Sequence, residues 1–496
     1  MPMATGSQTD ALAVLAEVIA RGLPGPDGGA RSTLETLFGS RYQRRHFSPT
    51  TVRDAYALAS DDGQDGVPYA GLINPDNPPS GPYGGTSVVW FPTQEGSLIG
   101  LGVGTRGLSP DEGILMRPGH RRRIAALRRY LSRLGIEAWS KPDPSALGVP
   151  VPKVTRERFP GFERAFQRYE REMYCIARMP PEVSRARQVV QAFFDLYAYE
   201  RGWQVLKAWE DEYDTFHGAL RQDLFPTFDS DYVNSLLRSR RFVVLQGPPG
   251  TGKTRMADEV RSRYFANRGM TVQFHPAVTY EDFVVGLSPD PHEGQLRFKV
   301  RRGWLLDAAR QASDGAFLLV IDEVNRADLG KVLGEAIYLF EAAEIGGSHA
   351  RYVRLPHSVD GESTFALPEG LFVLATMNTA DRSIASMDLA IRRRFAFLAM
   401  LPERAVVAAQ ELPLATQMFD RLTDVFVEHA PEDALDLLPG HAYFLAADEK
   451  VLKTRFRHEL LPLLDDYLRQ GLLGPAAAEL NAVRDSIQDA IEGKAG

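Results

Sequence analysis

The second half of this sequence predicts an α/β fold, a parallel sheet with flanking helices. An α+β region precedes it and a helical stretch follows. Three observations carry this. Apolar strand-like runs at 242–246, 271–275, 317–321 and 371–376 alternate with helical segments, the pattern of parallel strands joined by crossover helices. The run Gly247-Pro248-Pro249-Gly250-Thr251-Gly252-Lys253-Thr254 satisfies the phosphate-loop pattern at every fixed position. A further apolar run, Ala316 to Ile321, ends in Asp322-Glu323, 69 residues after Lys253.

Taken in order, residues 1–59 carry helical periodicity, with Leu12, Leu15, Val18 and Ile19 on one face. Residues 60–66 are acidic and glycine-rich and read as a loop. Asn74 to Gly85 is dense in Pro, Gly and Asn, which marks turns. Thr86 to Phe91 and Ser97 to Val103 read as paired strands across Gln94-Glu95-Gly96. Arg117 to Leu134 reads as an arginine-loaded helix. Lys141 to Lys153 contains four prolines and reads as a linker, and 156–222 as mainly helical. Phe242 to Leu245 is the buried strand that enters the phosphate loop, and Arg255 to Val260 is the helix that leaves it. After about residue 400 the pattern is helical. The expected division is 1–140, α+β; 141–230, linker and helices; 231–400, the α/β domain; and 401–496, helical.

Composition narrows the class. At 496 residues, with 44% hydrophobic and 24% charged residues, the chain is ordinary for a multi-domain globular protein. Its formal net charge of −7 argues against a simple cationic nucleic-acid binder. The charge is uneven: residues 96–201 hold 19 Lys+Arg against 11 Asp+Glu, and residues 231–496 hold 30 against 37. Cys175 is the only cysteine, which excludes an intramolecular disulfide and a multi-cysteine zinc site. The start, Met-Pro-Met-Ala-Thr-Gly-Ser, lacks the features of a signal peptide, and no run reaches membrane-span length. A cytoplasmic location with no membrane contact is the expectation.

The chemistry follows from the phosphate loop. A strand–loop–helix turn points consecutive backbone N–H groups and a helix N-terminus at one phosphate chain. The whole loop, Gly247, Pro248, Pro249, Gly250, Thr251, Gly252, Lys253 and Thr254, forms that cradle. Lys253 would reach the β- and γ-phosphates, and the Thr254 hydroxyl would hold Mg²⁺. Asp322, at a strand tip, is the second expected Mg²⁺ ligand, and Glu323 the residue that polarises the attacking water. Asn378, at the end of the 371–376 strand, could bond that water or the γ-phosphate; its competing role is to cap the next helix. Arg392, Arg393 and Arg394 could act on a neighbouring subunit's phosphates; the competing reading is a solvated basic helix end.

These residues resemble the AAA+ proteins of McrB type, the motor subunits of modification-dependent restriction systems. The shared motifs are Phe274-His275-Pro276, Tyr280-Glu281-Asp282-Phe283 with Gly286, Asp322-Glu323-Val324-Asn325-Arg326, and Gly334-Glu335. They continue through Met377-Asn378-Thr379-Ala380-Asp381-Arg382-Ser383 and Arg392-Arg393-Arg394-Phe395. The last are Gly440-His441-Ala442-Tyr443-Phe444 and Leu460-Leu461-Pro462-Leu463-Leu464. The resemblance covers roughly residues 235–470. It implies an AAA+ core with a helical lid after residue 400, a hexameric ring with sites between subunits, and hydrolysis of ATP or GTP. It further implies Glu323 as catalytic acid, Asn378 as first sensor, Arg393 and Arg394 as trans-acting fingers, and a separate McrC-like nuclease partner. No nuclease core is legible: Val151 stands where Pro142-Asp143 and Lys153 would need an acid, and Pro431-Glu432-Asp433 with Asp448-Glu449-Lys450 falls in the helical stretch.

The first half carries no such motif. In the family this region selects the target, so DNA is its expected partner. Arg117, Arg121, Arg122, Arg123, Arg128, Arg129 and Arg133 on one helix could track phosphates, or could pair with acids elsewhere. Trp90, Tyr69 and Tyr83 could line a pocket for a flipped base, or could simply be core. The rival reading of the whole chain is a protein-remodelling ATPase of MoxR or midasin type. A third is a nucleotide-gated scaffold that does not hydrolyse.

Overall fold

The structure, a computed structural model, describes residues 10–27, 29–56, 66–73, 85–104, 111–292, 295–346, 349–381 and 389–494. It divides into two compact units. One runs to Leu224 and includes Val427–His429; the other comprises Phe225–Phe426 and Ala430–Gly496.

In the first unit the described residues form a sheet of β1 (Val52–Asp54), β2 (Ala70–Ile73), β3 (Thr86–Thr93), β4 (Gly96–Val103), β5 (Ala138–Ser140) and β6 (Met173–Arg178). Its order is β1-β2-β3-β4-β6-β5, antiparallel throughout. The β3–β4 pair follows the period-2 reading of the sequence. Val88 and Trp90 point to one core, which also holds Phe193 and Phe194 of the helix Val183–Glu200. Val89 and Phe91 point to the other, with Phe159, Phe162 and Phe166. Both faces of the sheet are therefore covered.

Three expectations for this region need correction. The chain does not break at residue 141. β6 inserts between β4 and β5, the Lys141 N–H donates to the Tyr174 carbonyl at 2.7 Å, and Val151 is buried in a core cluster. The proline-rich stretch is thus folded back onto the sheet. The arginine helix, Pro118–Arg133, is not a row of free guanidiniums. Arg122 and Arg123 are buried; Arg123 Nε donates to Glu200 Oε1 at 2.6 Å, and its guanidinium lies 4.7 Å from the Tyr199 ring centre. Arg121 bonds the Pro142 carbonyl, and Arg133 pairs with Asp223. Finally, Trp90 is wholly buried, with its indole N–H donated to the Tyr56 hydroxyl at 2.6 Å, so it lines no base pocket. Tyr69 packs edge-on against Tyr169. Tyr83 lies outside the described residues.

The second unit holds the α/β domain. Its strands are β7 (Phe242–Gly247), β8 (Gly269–Gln273), β9 (Val285–His292), β10 (Gln295–Arg302), β11 (Phe317–Asp322), β12 (Val353–Val359), β13 (Glu362–Phe365), β14 (Leu371–Asn378) and β15 (Ala396–Ala399). Five of them make one sheet in the order β15-β7-β14-β11-β8, parallel at every pairing. A parallel sheet buried on both faces favours unbroken aliphatic strands, and β7, β11 and β14 have them. β9–β10 and β12–β13 are separate antiparallel hairpins that the periodicity did not distinguish. β15, four residues long, was also not read from the sequence. Beyond residue 400, helices Pro413–Glu428, Glu449–Arg455, Leu461–Arg469 and Ala477–Glu492 share a core of their own around Leu422, Phe426, Phe444, Phe456, Leu464 and Leu480. Among the described residues no helix is long and apolar enough to cross a membrane.

Candidate active site

β7, β11 and β14 are neighbours in the sheet and run the same way, so their carboxyl ends come together at one edge. Ligands of open parallel sheets bind at that edge. The register is close: Asn378 of β14 stands opposite Gly247 of β7, and the Thr379 N–H donates to the Gly247 carbonyl at 3.1 Å.

From β7 the chain enters the phosphate loop. Gly247 admits no side chain, since a Cβ there would stand 2.1 Å from the Met400 carbonyl oxygen. Gly252 adopts φ +79° and caps the helix Lys253–Tyr264, whose first N–H groups open onto the loop. The Lys253 amine donates to the carbonyls of Gly247 at 2.8 Å and Pro248 at 2.6 Å. Burial pushes it down to about 8, against the opposing pull of Glu323 and Asp322.

Asp322, the last residue of β11, is the node of the site. Its Oδ1 accepts the Thr254 hydroxyl at 3.1 Å and the Thr376 hydroxyl at 2.5 Å. The Thr376 oxygen in turn accepts the Glu323 N–H at 3.0 Å. That bond matters because Glu323 has φ +56° and ψ +48°, a left-handed conformation costing a residue with a Cβ about 1–3 kcal/mol. The Glu323 carboxylate faces Arg326 Nε at 3.5 Å, and its Oε2 makes no hydrogen bond. The hydroxyl of Thr254 and the carboxylate of Asp322 are hard oxygen donors, the set that suits Mg²⁺ completed by substrate phosphates.

Asn378 is partly committed. Its Oδ1 accepts the Ala380 N–H at 3.1 Å, and its carbonyl accepts Asn325 Nδ2 at 3.0 Å; among the described residues its own Nδ2 has no hydrogen-bond partner. The two expected fingers differ from each other. Arg393 is exposed. Arg394 is turned inward: its Nε faces Glu341 at 3.6 Å and it donates to the Ala390 carbonyl at 2.6 Å. Of these two arginines, Arg393 is the one presented to solvent. Arg382 and Ser383 of the motif that begins at Met377 lie outside the described residues.

Two features escaped the sequence reading. Thr376 sat inside an apolar strand and drew no attention. The signal was its position two residues before Asn378, which puts both on the same face of β14. The other is the position of the 440–442 segment, which the sequence shows only as part of a shared motif. Its Gly440 and Ala442 N–H groups donate to the carbonyls of Pro249 and Gly250, both at 3.0 Å, so it grips the outer edge of the phosphate loop.

The lowered Lys253 amine has a measurable consequence. Facing phosphate, the amine keeps its proton; free, it loses it above about pH 8. Above that pH, binding must take up a proton, so triphosphate affinity is expected to fall by up to about tenfold per pH unit. Titration calorimetry from pH 7 to 9.5 measures this, and a flat profile would contradict it.

Residues 242–395 match the AAA domain of the dynein-related subfamily. The type IV methyl-directed restriction enzyme EcoKMcrB subunit of Escherichia coli (strain K12) is 36% identical over 188 residues, covering 36% of this chain and 40% of that subunit. The type II restriction enzyme BsuMI component YdiS of Bacillus subtilis (strain 168) is 25% identical over 280 residues, covering 47% of this chain and 80% of YdiS. Among solved structures, NtrX from Brucella abortus aligns over 64% of this chain and 59% of its own at 11% identity, with a TM-score of 0.24 that carries no weight for the fold. The chain spans less than half the length of the EcoKMcrB subunit it matches. Together with the strand order and the phosphate loop, these matches show that residues 242–395 form an AAA domain of the dynein-related subfamily, similar in sequence to the EcoKMcrB subunit.

Proposed function

We propose that this chain hydrolyses ATP or GTP as the motor of a restriction system. In this reading it forms a hexameric ring, contacts DNA through its first half, and works with a separate McrC-like nuclease. The observation that carries it is the convergence of Lys253, Thr254, Asp322 and Glu323 at adjacent tips of parallel strands. Two restriction components among its relatives favour this over protein remodelling.

Each side chain has a part in this scheme. Lys253 and the loop N–H groups bind the phosphate chain. Thr254 and Asp322 would hold Mg²⁺, which supplies charge neutralisation for the phosphate oxygens. Glu323 orients and polarises a water for in-line attack on the γ-phosphate, with Asn378 donating to that water or to the phosphate. Arg393 of a neighbouring subunit stabilises the charge that develops on the transferring group.

The direct test is Glu323→Gln, which keeps the shape and removes the base. Nucleotide binding and assembly should survive while turnover falls by at least about a hundredfold. Turnover at the wild-type rate would sink the assignment. Thr376→Val removes the hydroxyl that joins Asp322 to the Glu323 backbone. It should lower kcat by about five- to a hundredfold, from roughly 1–3 kcal/mol of lost positioning, with KM little changed. Thr376→Ser should restore most of the rate; equal losses in both variants would remove Thr376 from the mechanism.

A further inference from the structure

The segment that grips the phosphate loop also carries a histidine with an oriented ring. Gly440 and Ala442, on either side of His441, are the two residues whose N–H groups bond the loop. Only glycine fits at 440, since a Cβ would stand 2.1 Å from the Gly250 carbonyl carbon. His441 is therefore held by its backbone on both sides. Its Nδ1 accepts the Glu403 N–H at 3.2 Å. An accepting Nδ1 bears no proton, so the neutral ring carries its hydrogen on Nε2. Burial, with the Arg255 guanidinium adding to it, pushes His441 below the usual histidine range, so this tautomer persists at neutral pH.

The Nε2–H faces the loop. A Cβ built on Gly252 would have His441 Nε2 at 3.7 Å and Cε1 at 4.0 Å as its nearest neighbours. Gly252 opens the helix whose first N–H groups receive phosphate. The γ-phosphate chemistry belongs to Lys253, Asp322 and Glu323 at the strand tips, whereas His441 is carried by the segment that bonds Pro249 and Gly250 and stands beside Gly252. We propose that His441 donates its Nε2–H to the bound nucleotide, at the diphosphate–ribose portion that remains after hydrolysis. This makes it a nucleotide-binding residue supplied from outside the sheet, and it rests on the nucleotide reading above.

The test separates the two nitrogens. Asn at 441 can keep the acceptor for Glu403 but is too short to replace Nε2; Gln places an amide N–H close to Nε2 but loses the acceptor. Fluorescent nucleoside diphosphate and triphosphate are titrated into the full chain, with melting temperature recorded for each variant. His441→Asn should weaken both nucleotides about tenfold at an unchanged melting temperature, and His441→Gln should regain most of the affinity. Wild-type diphosphate affinity in the Asn variant, or equal losses in Asn and Gln, would overturn the proposal. If Asn lowers the melting temperature, the Gln variant decides: retained affinity supports the donor role and lost affinity overturns it. A wild-type chain that binds neither nucleotide would instead overturn the nucleotide reading, and this inference with it.

Discussion

The site depends on one carboxylate oxygen. Asp322 Oδ1 receives the hydroxyl of Thr254 from the helix after the phosphate loop and that of Thr376 from β14. One atom therefore ties together the loop and two adjacent strand tips. The arrangement is possible because β7, β14 and β11 lie side by side and end at the same level, a property of parallel pairing. It also sets the next residue. The hydroxyl that donates to Asp322 accepts the Glu323 N–H, and this supports a left-handed turn that would otherwise be unfavourable. Asp322 and Glu323, the proposed metal ligand and base, are thus positioned by the same threonine.

The first unit follows a different physical logic. Its charged residues are largely spent on its own fold. Arg41 and Asp195 form a buried pair with Tyr42, in which Arg41 Nε and the Tyr42 hydroxyl both donate to Asp195 Oδ1, at 2.9 and 2.8 Å. Arg123 is committed to Glu200 and Arg201 to Asp111 in the same way. Breaking a buried pair of this kind typically costs about 3–5 kcal/mol. The positive balance of this region therefore overstates the charge available for a nucleic-acid partner. Any DNA contact must come from residues outside these networks.

How much of this could be read beforehand depended on how local the signal was. The phosphate loop was legible because its chemistry fixes residues at consecutive positions. β7, β11 and β14 were legible because strands buried on both faces are unbroken aliphatic runs. Asp322 and Glu323 stood out as acids ending such a run. What failed was tertiary. Arg394 resembles Arg393 in sequence, yet it is turned inward, toward Glu341, 53 residues away, and the Ala390 carbonyl. Trp90 could have lined a pocket or a core, and its burial depends on helices far along the chain. The prolines at 142–152 suggested a linker, yet β6 after them pairs on both sides within the sheet. His441 was visible only as part of a motif, because its ring orientation is set by Glu403.

The central claim is that a site built around Asp322 in one subunit is completed by Arg393 of another. It is tested most directly by mixing two inactive chains. Glu323→Gln keeps Arg393 but cannot activate water, and Arg393→Ala keeps Glu323 but lacks the arginine. Each alone should be nearly inert, and an equimolar mixture should recover a substantial fraction of wild-type nucleotide hydrolysis. A mixture no more active than its parts, or an Arg393→Ala chain that turns over at the wild-type rate by itself, would contradict it.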